Sequence, residues 1–186
     1  MSVIRQNDLI ESIAAALQYI SFYHPADYIA HLARAYEREQ SPAAKDAMAQ
    51  ILTNSKMSAM GHRPICQDTG IVNVVMLNPS DSVVDWVLKT VPTMGAGWCP
   101  PGMLGIGIGG TAEKAVLLAK ESLMDDLDMY ELQAKAARGD KLDQVEELRL
   151  ELFEKVNALG IGAQGLGGLT TVLDVKIKMY TTHAAS

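Results

Sequence analysis

The chain has 186 residues, with a hydrophobic fraction of 48 % and a charged fraction of 20 %. This is ordinary composition for one globular domain that can bury a core. The formal net charge of −6 argues against nucleic acid or an anionic membrane as a partner. We find no membrane-span-like stretch and no signal peptide, so we expect a cytoplasmic protein whose two cysteines are reduced thiols or metal ligands.

The first third of the chain, residues 1–60, is predicted to form a helical cap. Apolar residues recur at helical spacing in the first helix, at Leu9, Ile13, Leu17 and Ile20. Asn7 or Asp8 is the expected N-cap of that helix. Ser41, followed by a proline, is the expected N-cap of the third helix.

The character of the chain changes at residues 61–186, which are predicted to form an α/β region with a mixed sheet and glycine-rich loops. Strands are predicted at 71–77, 103–110 and 169–180, and helices over 112–124 and within the charged stretch 125–159. Ser80 or Asp81 is expected to cap the helix after the first strand, and Pro92 to end it. Thr111 is the expected cap of the helix over 112–124. The two regions together would make one domain.

The two cysteines lie in loops whose backbone is constrained by glycine and proline. Cys66 lies within residues 64–70, which read PICQDTG, and Cys99 within residues 95–102, which read GAGWCPPG. Such loops can present thiolates to a metal centre. Zinc is disfavoured, because neither a C-x-x-C pair nor a histidine pair completes a tetrahedral set by local spacing.

The residues beside Cys66 suit a small polar ligand. The amide of Gln67 can donate a hydrogen bond to a carboxylate or carbonyl. The carboxylate of Asp68 could serve as an acid or base beside a metal ligand. The alternative is a turn in which Asp68 only caps the backbone near Thr69.

Two glycine runs fit the G-x-G-x-x-G template of dinucleotide-binding proteins, at 105–110 and 160–165. The first also reads as a strand whose glycine face allows something to approach closely. It lacks a second strand ending in an acidic residue, and the second run leads into a strand rather than a helix. Backbone N–H groups facing an anion, or tight turns beneath a packed sheet, are the alternatives.

The four histidines carry less information. His24 precedes a proline and His31 lies on a helix, so we expect both at the surface. His62 and His183 lie beside the loops of interest and are candidates for contact with a substrate or with the metal ligands.

The motifs together resemble the class I, iron–sulfur fumarate hydratases. The matching residues are 64–70, 97–101, 105–115 and 162–168, in the same order as in that family, and tartrate dehydratases share much of the pattern. The resemblance implies that Cys66 and Cys99 are the first two of three cysteines that hold a 4Fe–4S cluster. It also implies that Gln67 and Asp68 contact the substrate and that Asp68 transfers a proton.

The activity that the resemblance implies is reversible hydration of fumarate to (S)-malate, a reaction of the tricarboxylic acid cycle, by a homodimer. In that family one iron keeps an open position and acts as a Lewis acid on the substrate. Two departures stand out. Val75 runs directly into Met76 where the family has a longer stretch, and neither the third cysteine nor the C-terminal domain is present.

We therefore expect an N-terminal portion of such an enzyme, internally shortened at 75/76 and catalytically incomplete alone. Three alternatives remain. The chain could be a tartrate dehydratase-type subunit that needs a second chain, or a cluster-free, non-catalytic α/β module. A dinucleotide-binding enzyme is the most distant of the three.

Overall fold

The computed structural model describes residues 4–65, 72–74 and 82–181. The helices in these ranges are α1 (Gln6–Phe22), α2 (Ala26–Arg38), α3 (Pro42–Gly61), α4 (Val83–Met94), α5 (Ala112–Ser122), α6 (Met129–Ala137) and α7 (Gln144–Ala158). The strands are β1 (Val72–Val74), β2 (Gly102–Ile108) and β3 (Val172–Met179). The predicted α/β class is confirmed.

The strands form one sheet in the order β1-β2-β3. Val72 lies opposite Leu104, and Leu104 in turn lies opposite Val175. Both pairings are parallel, so the described part of the sheet is parallel rather than mixed as predicted. Parallel neighbours require crossover connections, and α4 supplies one while α5, α6 and α7 lie within the other.

Alternation along β2 separates the two faces of the sheet. Leu104 and Ile106 are fully buried in the main core on one face. Gly105 and Gly107 point to the other face, where a Cβ on either would overlap the backbone of α5. The prediction of a glycine face open to close approach is confirmed. What approaches is helix α5 of the same chain.

Two hydrophobic clusters fill the interior. The main core joins the sheet to α4, α6 and α7 and consists of Val84, Val87, Val91, Trp98, Leu104, Ile106, Met129, Leu132, Leu152, Val156, Val172, Val175 and Ile177. The second joins α2 and α3 to the rest and consists of Leu32, Ala35, Ala44, Ala47, Met48, Leu127, Ala163 and Leu173. Helices α2 and α3 therefore pack against the glycine-rich loop and β3.

The starts of α1 and α3 test the predicted caps. The Ser41 side chain accepts a hydrogen bond from the Ala44 N–H at 3.5 Å, so that prediction is confirmed. Arg5, rather than Asn7 or Asp8, is the N-cap of α1. Asp8 lies at the third helical position and accepts from the Arg5 backbone N–H at 3.1 Å. It satisfies a donor at the helix start from inside the helix.

Helix α4 departs from its predicted limits at both ends. Its cap is Ser82, whose hydroxyl accepts from the Asp85 N–H at 3.0 Å, and not Ser80 or Asp81. Pro92 was expected to end the helix but lies inside it, two residues before its last residue. The cap of α5 was predicted correctly, since Thr111 accepts from the Lys114 N–H at 3.3 Å.

Helix α1 buries none of its residues. Its apolar stripe is Leu9, Ile10, Ile13, Leu17 and Ile20, each more than half exposed. The described residues thus leave this stripe uncovered. Within the ranges given above, no helix combines the length and apolarity needed to cross a membrane.

Four charged residues from three elements form a network. Asp174 and Lys176 lie on β3, Asp128 is the residue before α6, and Arg149 lies in α7. Arg149 and Lys176 are buried, and both contact Asp174, which has no exposed surface, at 3.0 and 3.2 Å. Asp128 pairs with the same two cations, and its backbone N–H donates to Asp174 at 2.9 Å. The charges balance, so we interpret the network as structural.

Acidification is expected to weaken this network through Asp128. Burial alone would raise the pKa of Asp128, but hydrogen bonds from Arg149 and Lys176 outweigh it and lower the pKa to about 2. A depressed pKa stabilises the fold above the unfolded value of about 4, and this contribution is lost as pH falls towards 2.

Because the side chain of Asp128 is half exposed, the contribution should be about 1 kcal/mol. Denaturant titrations of wild type and Asp128→Asn should show a stability difference near pH 6 that shrinks between pH about 4 and about 2. Parallel stability curves over that range would contradict the prediction.

Candidate metal centre

The backbone around Cys99 is held in a tight, defined shape. The Cys99 N–H donates to the Ala96 carbonyl at 2.9 Å, and Cys99 itself has φ of +55°. Few non-glycine residues adopt that conformation, and it persists where the surroundings impose it. The preceding Trp98 is only 2 % exposed and belongs to the main core. The partly buried thiol therefore sits on a loop anchored in the interior.

A second loop fixes the Cys99 loop from the other side. The carbonyl of Pro100 accepts from the backbone N–H of Gln164 at 2.6 Å and from its side-chain amide at 3.1 Å. Gln164 has φ of +54°, and Gly165 lies against Ala96. The glycine-rich loop 160–168 thus serves to position the cysteine loop. Sequence reasoning quoted Gln164 only within a motif and gave it no role.

Tyr28 lies within electrostatic reach of the Cys99 thiolate. Burial, and after it the negative charge of Cys99, raise the pKa of Tyr28. The Tyr28 ring also contacts that of His24, with centroids 5.0 Å apart. The sequence held no local signal for this tyrosine, because 71 residues separate it from Cys99 along the chain.

The chain entering the other cysteine loop reaches the same α1–α2 junction. The N–H of Ile65 donates to the carbonyl of Ser21 at 2.9 Å. His62 ends α3 in the left-handed conformation, with φ of 48°, and its ring stacks on Phe22 at 5.8 Å. A hydrogen bond thus holds residue 65 to the end of α1, while Tyr28, in the first turn of α2, lies within electrostatic range of Cys99.

Several predicted site residues lie outside the described ranges. These are Cys66, Gln67, Asp68 and His183, together with the Val75–Met76 junction. Their predicted roles stay predictions.

Two surface predictions for histidines are wrong. His31 is 4 % exposed, because Tyr130 of α6 stacks on its ring at 4.8 Å and its Nδ1 contacts the Asp27 carbonyl at 2.9 Å. His24 is half-buried, and desolvation lowers its pKa, which favours the neutral ring. His31 was misplaced because Tyr130, its partner, comes from packing against a distant helix, whereas the ring partner of His24 is the nearby Tyr28.

The glycine runs do not form a dinucleotide site of the expected kind. Gly105 and Gly107 lie inside β2, where they make room for α5, whereas the template needs them in the turn after the strand. The run at 160–165 follows α7 and leads towards β3, as the sequence indicated. Its Gly162 is enclosed by the backbone of Gly167 and Gly168.

The side chains that could donate to a metal limit which metal group could bind near Cys99. Within residues 4–65, 72–74 and 82–181, no three histidine, cysteine or acidic side chains group closely enough to hold a metal ion. Cys99 is a partly buried thiol on a fixed loop, and a thiol in such a position is suitable as one ligand of a soft metal group. A metal site here would need donors besides Cys99 that lie outside these described ranges.

Comparison with known proteins identifies the family. The family model described as "Fumarate hydratase (Fumerase)" matches residues 10–76 and 72–186. This chain belongs to the fumarate hydratase family. It is thus a member of a family of hydro-lyases, as the four motifs indicated. The fumarate hydratase model matches in two segments that meet at 72–76, which includes the predicted site of internal shortening.

Curated relatives of this fumarate hydratase family member are alpha subunits of tartrate dehydratases. A Methanocaldococcus jannaschii protein, named as a candidate L(+)-tartrate dehydratase subunit alpha, is 43 % identical over 114 residues. The L(+)-tartrate dehydratase subunit alpha of Escherichia coli K12 is 32 % identical over 114 residues, as is that of Shigella boydii. These alignments cover 60 % of this chain but only 37 %, 35 % and 35 % of the relatives. The chain thus spans little more than a third of their length.

Proposed function

We propose that this chain is the N-terminal, cluster-binding part of a hydro-lyase that reversibly hydrates fumarate to (S)-malate. The observation that carries the proposal is the Cys99 loop, held by Trp98 in the core and by Gln164 at Pro100. The match to the fumarate hydratase family over residues 72–186 covers Trp98, Cys99 and Gln164. The proposed enzyme is cytoplasmic and homodimeric, with no nucleic acid or membrane partner.

Cys99 and Cys66 would hold a 4Fe–4S cluster together with a third cysteine from outside this sequence. Residue 65, next to Cys66, hydrogen-bonds to Ser21 at the end of α1, and Tyr28 at the start of α2 lies within electrostatic range of Cys99. When bound, the cluster would supply an iron with an open position, a Lewis acid for the substrate carboxylate and hydroxyl.

The residues beside Cys66 would handle the substrate and its proton. Fumarate and malate are dianions, so the Gln67 amide would donate a hydrogen bond to a substrate carboxylate. In the dehydration of malate, Asp68 would take the proton from the carbon next to the distant carboxylate, and in the hydration of fumarate it would give a proton to that carbon. Cys99 would fix the position of the metal group relative to both side chains.

Anaerobic reconstitution with iron and sulfide tests the proposal. The chain alone should bind iron and sulfide weakly and below stoichiometry, with little or no fumarate hydration, because two thiolates hold a cluster poorly. Cys99→Ser should reduce bound iron to background, measured by metal and acid-labile sulfide analysis. Met124→Ser, which removes a sulfur from a side chain that is 80 % exposed, should leave it unchanged.

Two outcomes would contradict parts of the proposal. Stable, stoichiometric cluster binding with turnover by the chain alone would overturn the claim of incompleteness. Unchanged iron content in both Cys99→Ser and Cys66→Ser would favour a cluster-free module and overturn the proposal.

The second candidate function is a tartrate dehydratase-type subunit, favoured by the alpha-subunit relatives. The chain would be mixed with a separately produced C-terminal-type chain of the family and assayed on malate and tartrate. Activity that appears only on mixing, with a preference for tartrate, would support this candidate over fumarate hydration.

A further inference from the structure

A buried carboxylate joins the end of α2 to the glycine-rich loop. Glu39 is 3 % exposed and accepts hydrogen bonds from the Leu169 N–H at 2.9 Å and the Thr170 N–H at 3.2 Å. It also accepts from the N–H groups of Gln40 at 2.8 Å and Ser41 at 3.0 Å. Glu39 therefore connects two segments that are 130 residues apart in the chain.

This carboxylate is held by backbone groups alone. No lysine, arginine or histidine of the described residues forms an ion pair with Glu39. Burial raises the pKa of Glu39, but the N–H donors of Ser41, Leu169, Gln40 and Thr170 outweigh it and lower the pKa. Burying a charge without hydrogen bonds costs free energy. The four backbone N–H donors offset that cost and hold the Glu39 carboxylate in one position.

The loop is shaped to accept this contact. A Cβ at Gly168 would lie 2.8 Å from the Glu39 Oε2 and 2.9 Å from the Ala44 Cβ, so a larger residue could not sit there. Within the loop, Gly167 donates to the Ile161 carbonyl at 2.8 Å. Hydrogen bonds thus close the loop between the Glu39 contact and Gln164, so both belong to one hydrogen-bonded loop.

The far end of the loop meets the cysteine loop. Gln164 donates twice to the carbonyl of Pro100, the residue after Cys99. We propose that Glu39 is a positioning residue for Cys99, acting through the glycine-rich loop and Gln164. The inference rests on the proposed function only for the identity of the group that Cys99 would bind.

The reactivity of the Cys99 thiol tests this without any cluster. In a Cys66→Ser background Cys99 is the single cysteine, and its alkylation by iodoacetamide can be followed by mass spectrometry. Glu39→Gln replaces one acceptor oxygen by a donor and should raise the alkylation rate about tenfold, because loop contacts worth about 1.4 kcal/mol are lost. If that variant does not fold, Glu39→Asp should give the same rise.

Asp174→Asn is the matched control. Asp174 is as buried as Glu39, but its carboxylate accepts hydrogen bonds from the Arg149 side chain and the Asp128 N–H rather than from the loop. This variant should change the alkylation rate by less than about twofold under native conditions, even if it lowers global stability as much. Equal rate increases in both variants would show a general loss of stability and overturn the proposal.

A double-mutant cycle tests whether Glu39 acts on Cys99 through Gln164. Gln164→Ala should itself raise the rate, and adding Glu39→Gln should give little further increase, because both changes release the same loop. Additive effects, or no effect of Glu39→Gln, would overturn the proposal. Failure of cluster reconstitution with these thiol results intact would count against the proposed function and leave the positioning role standing.

Discussion

Gly107→Ala is expected to destabilise the protein by about 3 kcal/mol or more, the upper range for overpacking a buried site. A Cβ there would overlap the backbone carbonyl of Ala115 in α5 and contact the N–H of Ala119. Both neighbours are backbone atoms of a helix packed on the sheet, so no side-chain rotation can relieve the overlap. Urea unfolding followed by circular dichroism measures the loss.

Gly61→Ala provides the control for that substitution. A Cβ at Gly61 would meet only the flexible Arg63 side chain, at 3.7 Å or more. Because this is ordinary contact, the change in the free energy of unfolding should stay within about 1 kcal/mol. A similar small effect for Gly107→Ala would show that α5 does not need to lie this close to β2.

Arg149→Met is expected to destabilise the protein by about 3 kcal/mol, which lowers the melting temperature by roughly 10 °C for a chain of this size. Arg149 contacts Asp174, which has no exposed surface, and its Nε donates to the Val175 carbonyl at 2.6 Å. Without Arg149, Lys176 remains the only described cation near two carboxylates. Differential scanning calorimetry measures the effect.

Arg138→Met is the matched comparison. Arg138 also pairs with an aspartate, Asp140 at 2.8 Å, but both side chains are exposed, at 63 % and 47 %. Exposed pairs contribute little, so the loss should not exceed about 0.5 kcal/mol. Equal losses in the two variants would mean that the buried network contributes no more than a surface pair.

Local sequence patterns predicted elements better than they predicted partners. Ser41 and Thr111 were recognised as caps because a cap needs only its own helix. His31 was misplaced for the opposite reason, since Tyr130, which covers it, lies almost a hundred residues away in the chain. Pro92 was expected to end α4, but the helix continues past it for two residues.

The sequence by itself determined the family, because short motifs carry the chemistry of a site in the identity of neighbouring residues. The roles of Cys66 and Cys99 stay predictions. The sequence also determined that the Gly105–Gly107 stretch would allow a close approach. Only the tertiary structure decided that α5 makes this approach, that Gln164 donates to the carbonyl of Pro100, and that Glu39 accepts from the Leu169 N–H. The two hydrogen bonds join residues 64 and 130 positions apart, and no local pattern encodes which distant segment a loop will meet.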